Sequence, residues 1–396
     1  YFIPISMALL GSNGEEMEFE VEGGEKIQDG VVAVKERTTS LKFKGITSRP
    51  VPSLLRGFSA PVIINMPMTD QDLAFLMHHD GDLFNRWQSS NAYAIRSILS
   101  LLDTKRPKSV AGAKAHKFTE ALGYALRDPS LDDAYKAELL KLPSVADVAR
   151  EKATKVDHAA IFQAHRTFTR TIGEKLKAEL EEIYSSASSN AAFSPDAKDT
   201  GRRALRNAAL TLLTSRETGE DFARLEAHYR KATNMTDACH AMFLVASVDA
   251  PGRAAVLSDF FERWKGDHLV IDMWFAAQAQ SPRHETLDEV EALCEHPLFR
   301  LTTPNKVRAL IGTFALANPL QFNRADGAGY QFLADKVLMI DPLNPQVASR
   351  MLGAFRSYRA LEPKRRSLAK TALKRVAAAP KLSRDCLEMV TRMLDD

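Results

Sequence analysis

The chain has 396 residues, 45% of them hydrophobic and 26% charged, and its 53 basic and 50 acidic side chains leave a formal net charge of +3. That is the composition of a folded protein with apolar material for two domains, not of a disordered chain. The near balance of charge supplies no basic footprint for nucleic acid, and no apolar run reaches the roughly 18 residues that a membrane-spanning helix needs.

The opening Tyr1-Phe2-Ile3-Pro4 has no Met, no basic stretch and no cleavage site, and it starts inside an apolar run, as a piece cut from a longer chain would. Residues 1–65 carry the period of two that marks strands. Ile3, Ile5, Met7 and Leu9 alternate with Pro4, Ser6 and Ala8; Met17, Phe19 and Val21 alternate with glutamates; Leu41 and Phe43 alternate with Lys42 and Lys44. Gly11-Ser12-Asn13-Gly14, Gly23-Gly24 and Asp29-Gly30 punctuate them as turns. The expectation is a small antiparallel β-sandwich of Ig-like type with five or six strands, clipped at its start.

Past Pro50-Val51-Pro52 and Ala60-Pro61 the period changes to 3.6, and residues 66–396 read as a run of a dozen or more amphipathic helices. Leu205, Ala208, Ala209, Leu212 and Leu213 form one buried stripe. Leu257, Phe260, Phe261 and Trp264 form another, as do Val270, Met273, Trp274 and Ala277, then Val307, Leu310, Ile311 and Phe314. Ser194-Pro195, Thr303-Pro304 and Asn344-Pro345 place a capping side chain before a proline at the first helical position, and Thr286 with Glu289 has capping-box spacing. Ser185 to Asn190 reads as an exposed loop. No fixed repeat length is legible, so the fold class is mainly α: the β-sandwich followed by an irregular α-helical solenoid, an armadillo/HEAT-like superhelix.

The motifs of self-contained chemistry are absent. His284-Glu285 continues Thr286-Leu287-Asp288, so there is no H-E-x-x-H, and no G-x-S-x-G occurs. His78-His79-Asp80 with Asp82 is the densest set of potential metal ligands, but adjacent histidines point to different sides of a helix, and a solvated turn is expected there. His158 and His165 lie two turns apart, too far for a compact metal pair, and read as surface or internally satisfied histidines. Asp326-Gly327-Ala328-Gly329-Tyr330 lacks the Lys and the preceding strand of a phosphate loop and reads as a tight turn. Cys239, Cys294 and Cys386 form no CxxC pair; reduced, buried thiols and a reducing, cytoplasmic compartment are expected.

Several long strings are more specific. Pro50-Val51-Pro52-Ser53-Leu54-Leu55-Arg56-Gly57-Phe58-Ser59-Ala60-Pro61-Val62 comes first, then His79-Asp80-Gly81-Asp82-Leu83-Phe84-Asn85-Arg86-Trp87 and Ala232-Thr233-Asn234-Met235-Thr236-Asp237. They continue with Leu269-Val270-Ile271-Asp272-Met273-Trp274-Phe275 and Pro304-Asn305-Lys306-Val307-Arg308-Ala309-Leu310-Ile311-Gly312. Ala325-Asp326-Gly327-Ala328-Gly329-Tyr330 and Asn344-Pro345-Gln346-Val347-Ala348-Ser349-Arg350 close the series. In this order they resemble the C-terminal β-sandwich and helical domains of the aminopeptidase N (alanyl aminopeptidase) family of zinc metallopeptidases.

That resemblance implies an exopeptidase that removes single N-terminal residues from peptides, with its zinc and its G-x-M-E-N motif in an upstream catalytic domain. The implied partners are that domain and peptide substrates; no metal and no catalytic residue are expected in this chain. The helical domain would enclose the active-site chamber, and Arg308, Gln346 and Arg350 match the family positions that line it. Gln346 and Arg350 are i, i+4 neighbours on one helix face, and guanidinium groups suit a peptide carboxylate or its carbonyls. The competing expectation for the two arginines is an ion pair with a carboxylate between helices. Asn85-Arg86-Trp87 and Asn234 to Asp237 are expected to pack and cap. The rival reading of the whole is a stand-alone helical-repeat scaffold that binds a peptide or protein in its concave face.

Overall fold

The protein is seen in a computed structural model that describes residues 2–22, 30–103, 108–189 and 191–395. The expected turns at Gly23-Gly24 and Asp29, and the loop position Asn190, lie outside the described residues. Contacts divide the chain into two compact units, Tyr1–Pro143 and Ser144–Asp396.

Among the described residues the first unit forms five strands: β1 (Ile3–Leu10), β2 (Glu20–Val21), β3 (Val31–Val34), β4 (Phe43–Lys44) and β5 (Val51–Leu54). They make a three-stranded antiparallel sheet in the order β3-β1-β5 and a two-stranded antiparallel sheet of β2 and β4. The alternation over Met17 to Glu22 yields less strand than its pattern suggests, only β2 and a bridge from Glu16 to Leu10. β1 is buried on both faces at its end, and this is why Ala8 and Leu10 are not a polar face. Met7 and Leu9 pack with Val32 beneath Phe19, Leu41 and Phe43. Ala8 and Leu10 pack with Val51 and with Leu76 of the first helix.

Four helices complete this unit: α1 (Asp70–His79), α2 (Leu83–Leu101), α3 (Lys108–Leu126) and α4 (Asp133–Leu140). The junction that leads to them is a left-handed corner, with φ of +58° at Leu55, +60° at Gly57 and +57° at Phe58. Side chains from the start of α2 hold it. Asn85 donates from Nδ2 to Ser53 Oγ (3.0 Å) and to the Leu54 carbonyl (2.8 Å). Asp82 accepts from the Gly57 N–H and caps α2 through the Asn85 N–H. Arg86 donates from Nε to the Met77 carbonyl and pairs with Asp128 at 2.8 Å. Asp80 is not in a solvated turn: it is 2% exposed and pairs with Arg56, which also meets Glu16. A buried carboxylate persists only with such a partner.

Among the described residues of the second unit the regular elements are all helical, apart from a bridge between Val156 and Leu361. Its elements run α5 (Val145–Lys152), α6 (His158–Lys175), α7 (Lys177–Ser186), α8 (Ala197–Thr214), α9 (Gly219–Lys231), α10 (Met235–Ala246), α11 (Arg253–Trp264) and α12 (His268–Ala279). They continue α13 (Thr286–Cys294), α14 (Pro304–Val307), a π-helical turn (Arg308–Gly312), α15 (Thr313–Ala317) and α16 (Pro319–Phe322). Then come α17 (Ala328–Ile340), α18 (Pro345–Leu352), two 3-10 turns (Gly353–Phe355 and Tyr358–Ala360), α19 (Pro363–Ala377) and α20 (Arg384–Asp395). Among the described residues no helix is long and apolar enough to cross a membrane.

The stripe on α8 is buried throughout, and Leu257 and Phe260 of α11 are core, but Trp264 at the end of α11 and Met273 of α12 are exposed. Two cap expectations move. The cap of α8 is Asp196, which accepts from the Asp199 N–H at 2.8 Å, because Asp196 sits three residues before a free N–H and Ser194 does not. Thr286 is the first residue of α13 rather than its cap, and its hydroxyl is buried without a partner. Asn344 caps α18 as expected (3.1 Å to the Val347 N–H), whereas Thr303 precedes α14 without a side-chain cap bond. Ser185 and Ser186 belong to α7, and Ala187 is buried, so the exposed loop there is confined to Ser188 and Ser189 within the described residues. Asn234 accepts from the Asp237 N–H, and Asp237 accepts from Asn207 Nδ2, so this string caps α10 and ties it to α8.

Two histidines are internal. His158 is 6% exposed with Nδ1 unpartnered, so the surface or satisfied reading of it does not hold; the sequence could not show that the chain of α16 and α19 folds over it. Burial, reinforced by the charge of Arg365, brings its pKa down to about 4 from an ordinary 6.5. His228 is held below its ordinary value by burial and Arg206, against the pull of Asp237.

Two outcomes follow from these contacts. Asn85→Ala leaves the Leu54 carbonyl and Ser53 hydroxyl without their donor and lowers the stability of the first unit by about 2–3 kcal/mol in urea unfolding. The two internal histidines take up protons more readily unfolded than folded. Stability is therefore full above pH 6.5 and declines as pH falls from 6.5 towards 4, by up to about 3 kcal/mol for His158. Urea unfolding at about pH 7.5 and about pH 5 measures the slope, and His158→Phe flattens it.

Candidate functional site

Arg308, Gln346 and Arg350 stand on two short helices whose local structure determines where they point. Pro304 starts α14, and Lys306 anchors it. That lysine is 5% exposed and donates from Nζ to Asp272 Oδ1 (2.7 Å) and to the His268 carbonyl (3.1 Å), above the ring of Phe275. It therefore fastens α14 to α12. Sequence reasoning missed it as a positioning residue; the only signal was its place inside the string that contains Arg308.

The next five residues take the rare π geometry. Val307, Leu310, Ile311 and Phe314 keep the i, i+3, i+4, i+7 spacing of one stripe and are all fully buried, while Arg308 is on the outer surface. Thr313 donates its hydroxyl to the Arg308 carbonyl at 3.3 Å, which replaces part of the disturbed hydrogen-bond ladder. At Gly312 an added Cβ would sit 3.3 Å from Met351 Sδ, so the absence of a side chain lets α18 pack close to the π turn.

On α18 the inner face is Val347, Ala348, Met351 and Leu352, all buried. Gln346 and Arg350 lie on the outer face, both exposed. Among the described residues no carboxylate pairs with Arg308 or Arg350; Arg308 donates only to Asn305 Oδ1, three residues back on its own turn, at 3.0 Å. The ion pair between helices that sequence allowed for these arginines is not formed, and their hydrogen-bonding capacity is open to solvent.

The other candidates resolve into structure. Gly327 has φ of +77° and ends a tight turn in which Asp326 accepts from the Ala328 N–H and pairs with Arg324. Gly329 lies so close to the chain that an added Cβ would be 2.4 Å from the Phe322 carbonyl oxygen. The cysteines are free, but only Cys386 is fully buried. Burial pushes the thiols of Cys239 and Cys294 up to about 11 and that of Cys386 to about 12, so none is a thiolate at neutral pH. Among the described residues no three His, Cys, Asp or Glu side chains come together to hold a metal ion.

Comparison with known proteins gives this architecture its context. Residues 1–67 match a domain of unknown function (DUF3458) with an Ig-like fold, and residues 70–395 match the domain of unknown function DUF3458_C, built of ARM repeats. The chain belongs to this DUF3458 family, an Ig-like domain joined to ARM repeats. The full-length proteins it resembles are aminopeptidases. It is 36% identical to aminopeptidase N of Caulobacter vibrioides over 364 residues, 92% of this chain and 42% of that protein. It is 32% identical to aminopeptidase N of Escherichia coli over 392 residues, 99% of this chain and 44% of that protein. The crystal structure of Legionella pneumophila aminopeptidase A in complex with aspartic acid matches with a TM-score of 0.85 and 27% identity, over 100% of this chain and 45% of that one. The chain thus spans less than half the length of these relatives.

Lys306→Met removes the link between α14 and α12 and leaves the Asp272 carboxylate, 18% exposed, without its cation. Thermal or urea unfolding of the second unit is expected to register a loss of about 2–3 kcal/mol.

Proposed function

We propose that this chain is the non-catalytic C-terminal portion of a zinc aminopeptidase, and that it helps enclose the chamber in which peptides lose their N-terminal residues. The observation that carries the reading is the combination of partial coverage and unspent polar groups. The aminopeptidase relatives are more than twice as long as the matched region, and the side chains expected to meet substrate have no competing carboxylate.

In this reading the catalytic domain of the same polypeptide holds the zinc and carries out hydrolysis. The present chain contributes binding. Arg308 and Arg350 attract the C-terminal carboxylate or the carbonyls of a peptide, and Gln346 supplies a neutral donor and acceptor one turn from Arg350. Guanidinium groups with no internal partner make such contacts without first breaking an ion pair. Leu269 and Met273, exposed one turn apart on α12, and Leu343 beside the cap of α18 supply apolar surface for another part of the polypeptide to cover. A cytoplasmic location accords with three free thiols.

The test uses the complete enzyme. Arg308→Ala combined with Arg350→Ala is expected to lower kcat/KM for tetrapeptides about tenfold, mainly through KM, and to leave hydrolysis of an alanine anilide unchanged. Equal activity of variant and parent on both substrates would overturn the chamber role. Zinc-dependent turnover by this chain on its own would overturn its non-catalytic character.

A further inference from the structure

The net charge of +3 averages over an uneven distribution. Between Arg356 and Arg384 ten Lys and Arg side chains stand against a single acidic one, Glu362. Six of the ten belong to α19 (Lys364, Arg365, Arg366, Lys370, Lys374 and Arg375), a helix without any carboxylate of its own. Packing accounts for two of them. Arg365 is buried and bonds to Asp157, to Glu362 and, through Nε, to the Asn323 carbonyl. Arg375 pairs with Asp335 and donates to Gln331 Oε1. Lys364, Arg366, Lys370 and Lys374 are exposed, and among the described residues none of the four forms an ion pair.

The stability of the helix does not call for cations at these positions. Lys364 and Arg366 occupy the first turn of α19, where the helix dipole disfavours positive charge. Arg366, Lys370 and Lys374 follow one another at i, i+4 and i+8, a spacing at which like charges repel. Ala369, Ala372, Leu373 and Val376 hold the opposite face in the core, so the row is turned outward.

The chemistry of that face selects its partner. Beside the row the uncharged side chains are Ser367 and Thr371, small and exposed, and α19 carries no exposed large apolar residue. A bilayer or a protein partner would need apolar surface at the centre of the contact, and a single nucleic-acid strand would need aromatic rings to stack on its bases. A duplex backbone needs only cations and hydroxyls at its phosphates. From Arg366 to Lys374 the helix rises about 12 Å, about the width of the major groove of B-form DNA, so the ends of the row can reach phosphates on both rims.

We propose that the outer face of α19 is a docking surface for double-stranded DNA, which it holds by the phosphates without regard to base sequence. The surface is independent of Arg308, Gln346 and Arg350 and of the aminopeptidase reading.

The intact chain is titrated into a fluorescein-labelled DNA duplex of about 20 base pairs, and anisotropy is read from about 50 to about 200 mM NaCl. The expected result is a micromolar dissociation constant at the lowest salt and a log–log salt slope of about −3, as for three to four neutralised phosphates. Arg366→Ala and Lys374→Ala should each reduce the magnitude of that slope by about one and weaken binding about three- to tenfold on any base sequence. Alanine keeps the helix at these exposed positions, so the thermal midpoint should not fall. Lys117→Ala combined with Lys198→Ala removes two exposed charges elsewhere and should leave affinity and slope unchanged. No saturable binding by the unaltered chain overturns the proposal, as does an equal loss in the Lys117 and Lys198 variant. So does a salt slope that the α19 variants leave unchanged, or tighter binding of the single strand, of polyglutamate or of phosphatidylserine vesicles.

Discussion

Every helix end leaves backbone N–H and carbonyl groups that water or a side chain must satisfy, and a fold of many short helices multiplies those ends. This constraint shapes the second unit more than any single apolar contact. At the N-termini acidic, amide and hydroxyl side chains answer it: Asp157, Asp196, Thr218, Asn234, Asp267 and Asn344 each accept an N–H from the turn they precede. At the carbonyls the answer comes from elsewhere in the chain. Asn318 donates to the Ala279 and Ser281 carbonyls at the end of α12, and Arg365 to the Asn323 carbonyl after α16. Each of these side chains is buried, so the donor is already desolvated and its loss would strand the acceptor. The irregular stack is locked by polar side chains that reach across it.

The same logic governs the corner of the first unit. Asn85 and Asp82 start α2 and at the same time hold the residues that leave β5. Three left-handed positions within four residues are costly for Leu55 and Phe58, and the corner persists because side chains from the next helix over-determine it. Arg56, placed by that corner, in turn compensates the buried Asp80. A local strain and a buried charge are thus two parts of one arrangement.

At the candidate site Val307, Leu310, Ile311 and Phe314 keep ordinary helical spacing through the π turn; all four are buried and Arg308 is left outward. Gly312 then admits Met351, and α18 packs close enough to present Gln346 and Arg350 on its outer side.

Much of this was legible in the residues themselves. The change of period after Ala60-Pro61 separates strands from helices because alternation and 3.6-fold spacing place apolar groups differently along a chain. The buried stripes of α8 and of Val307 to Phe314, the cap at Asn344 and the turn at Gly327 are local patterns and could be read as such. The collinear strings single out Arg308, Gln346 and Arg350 by resemblance alone. What only the tertiary structure decided are the matters that depend on which distant segment lies opposite. Asp80 is buried because Arg56 meets it, Met273 is exposed because its side of α12 is uncovered, and His158 is internal because α16 and the chain before α19 fold over it. Lys306 is a clamp because Asp272 lies one helix away, and among the described residues no carboxylate pairs with the two arginines. Periodicity records a residue's own side of its helix; the identity of its neighbour across the interface is a property of the packed chain alone.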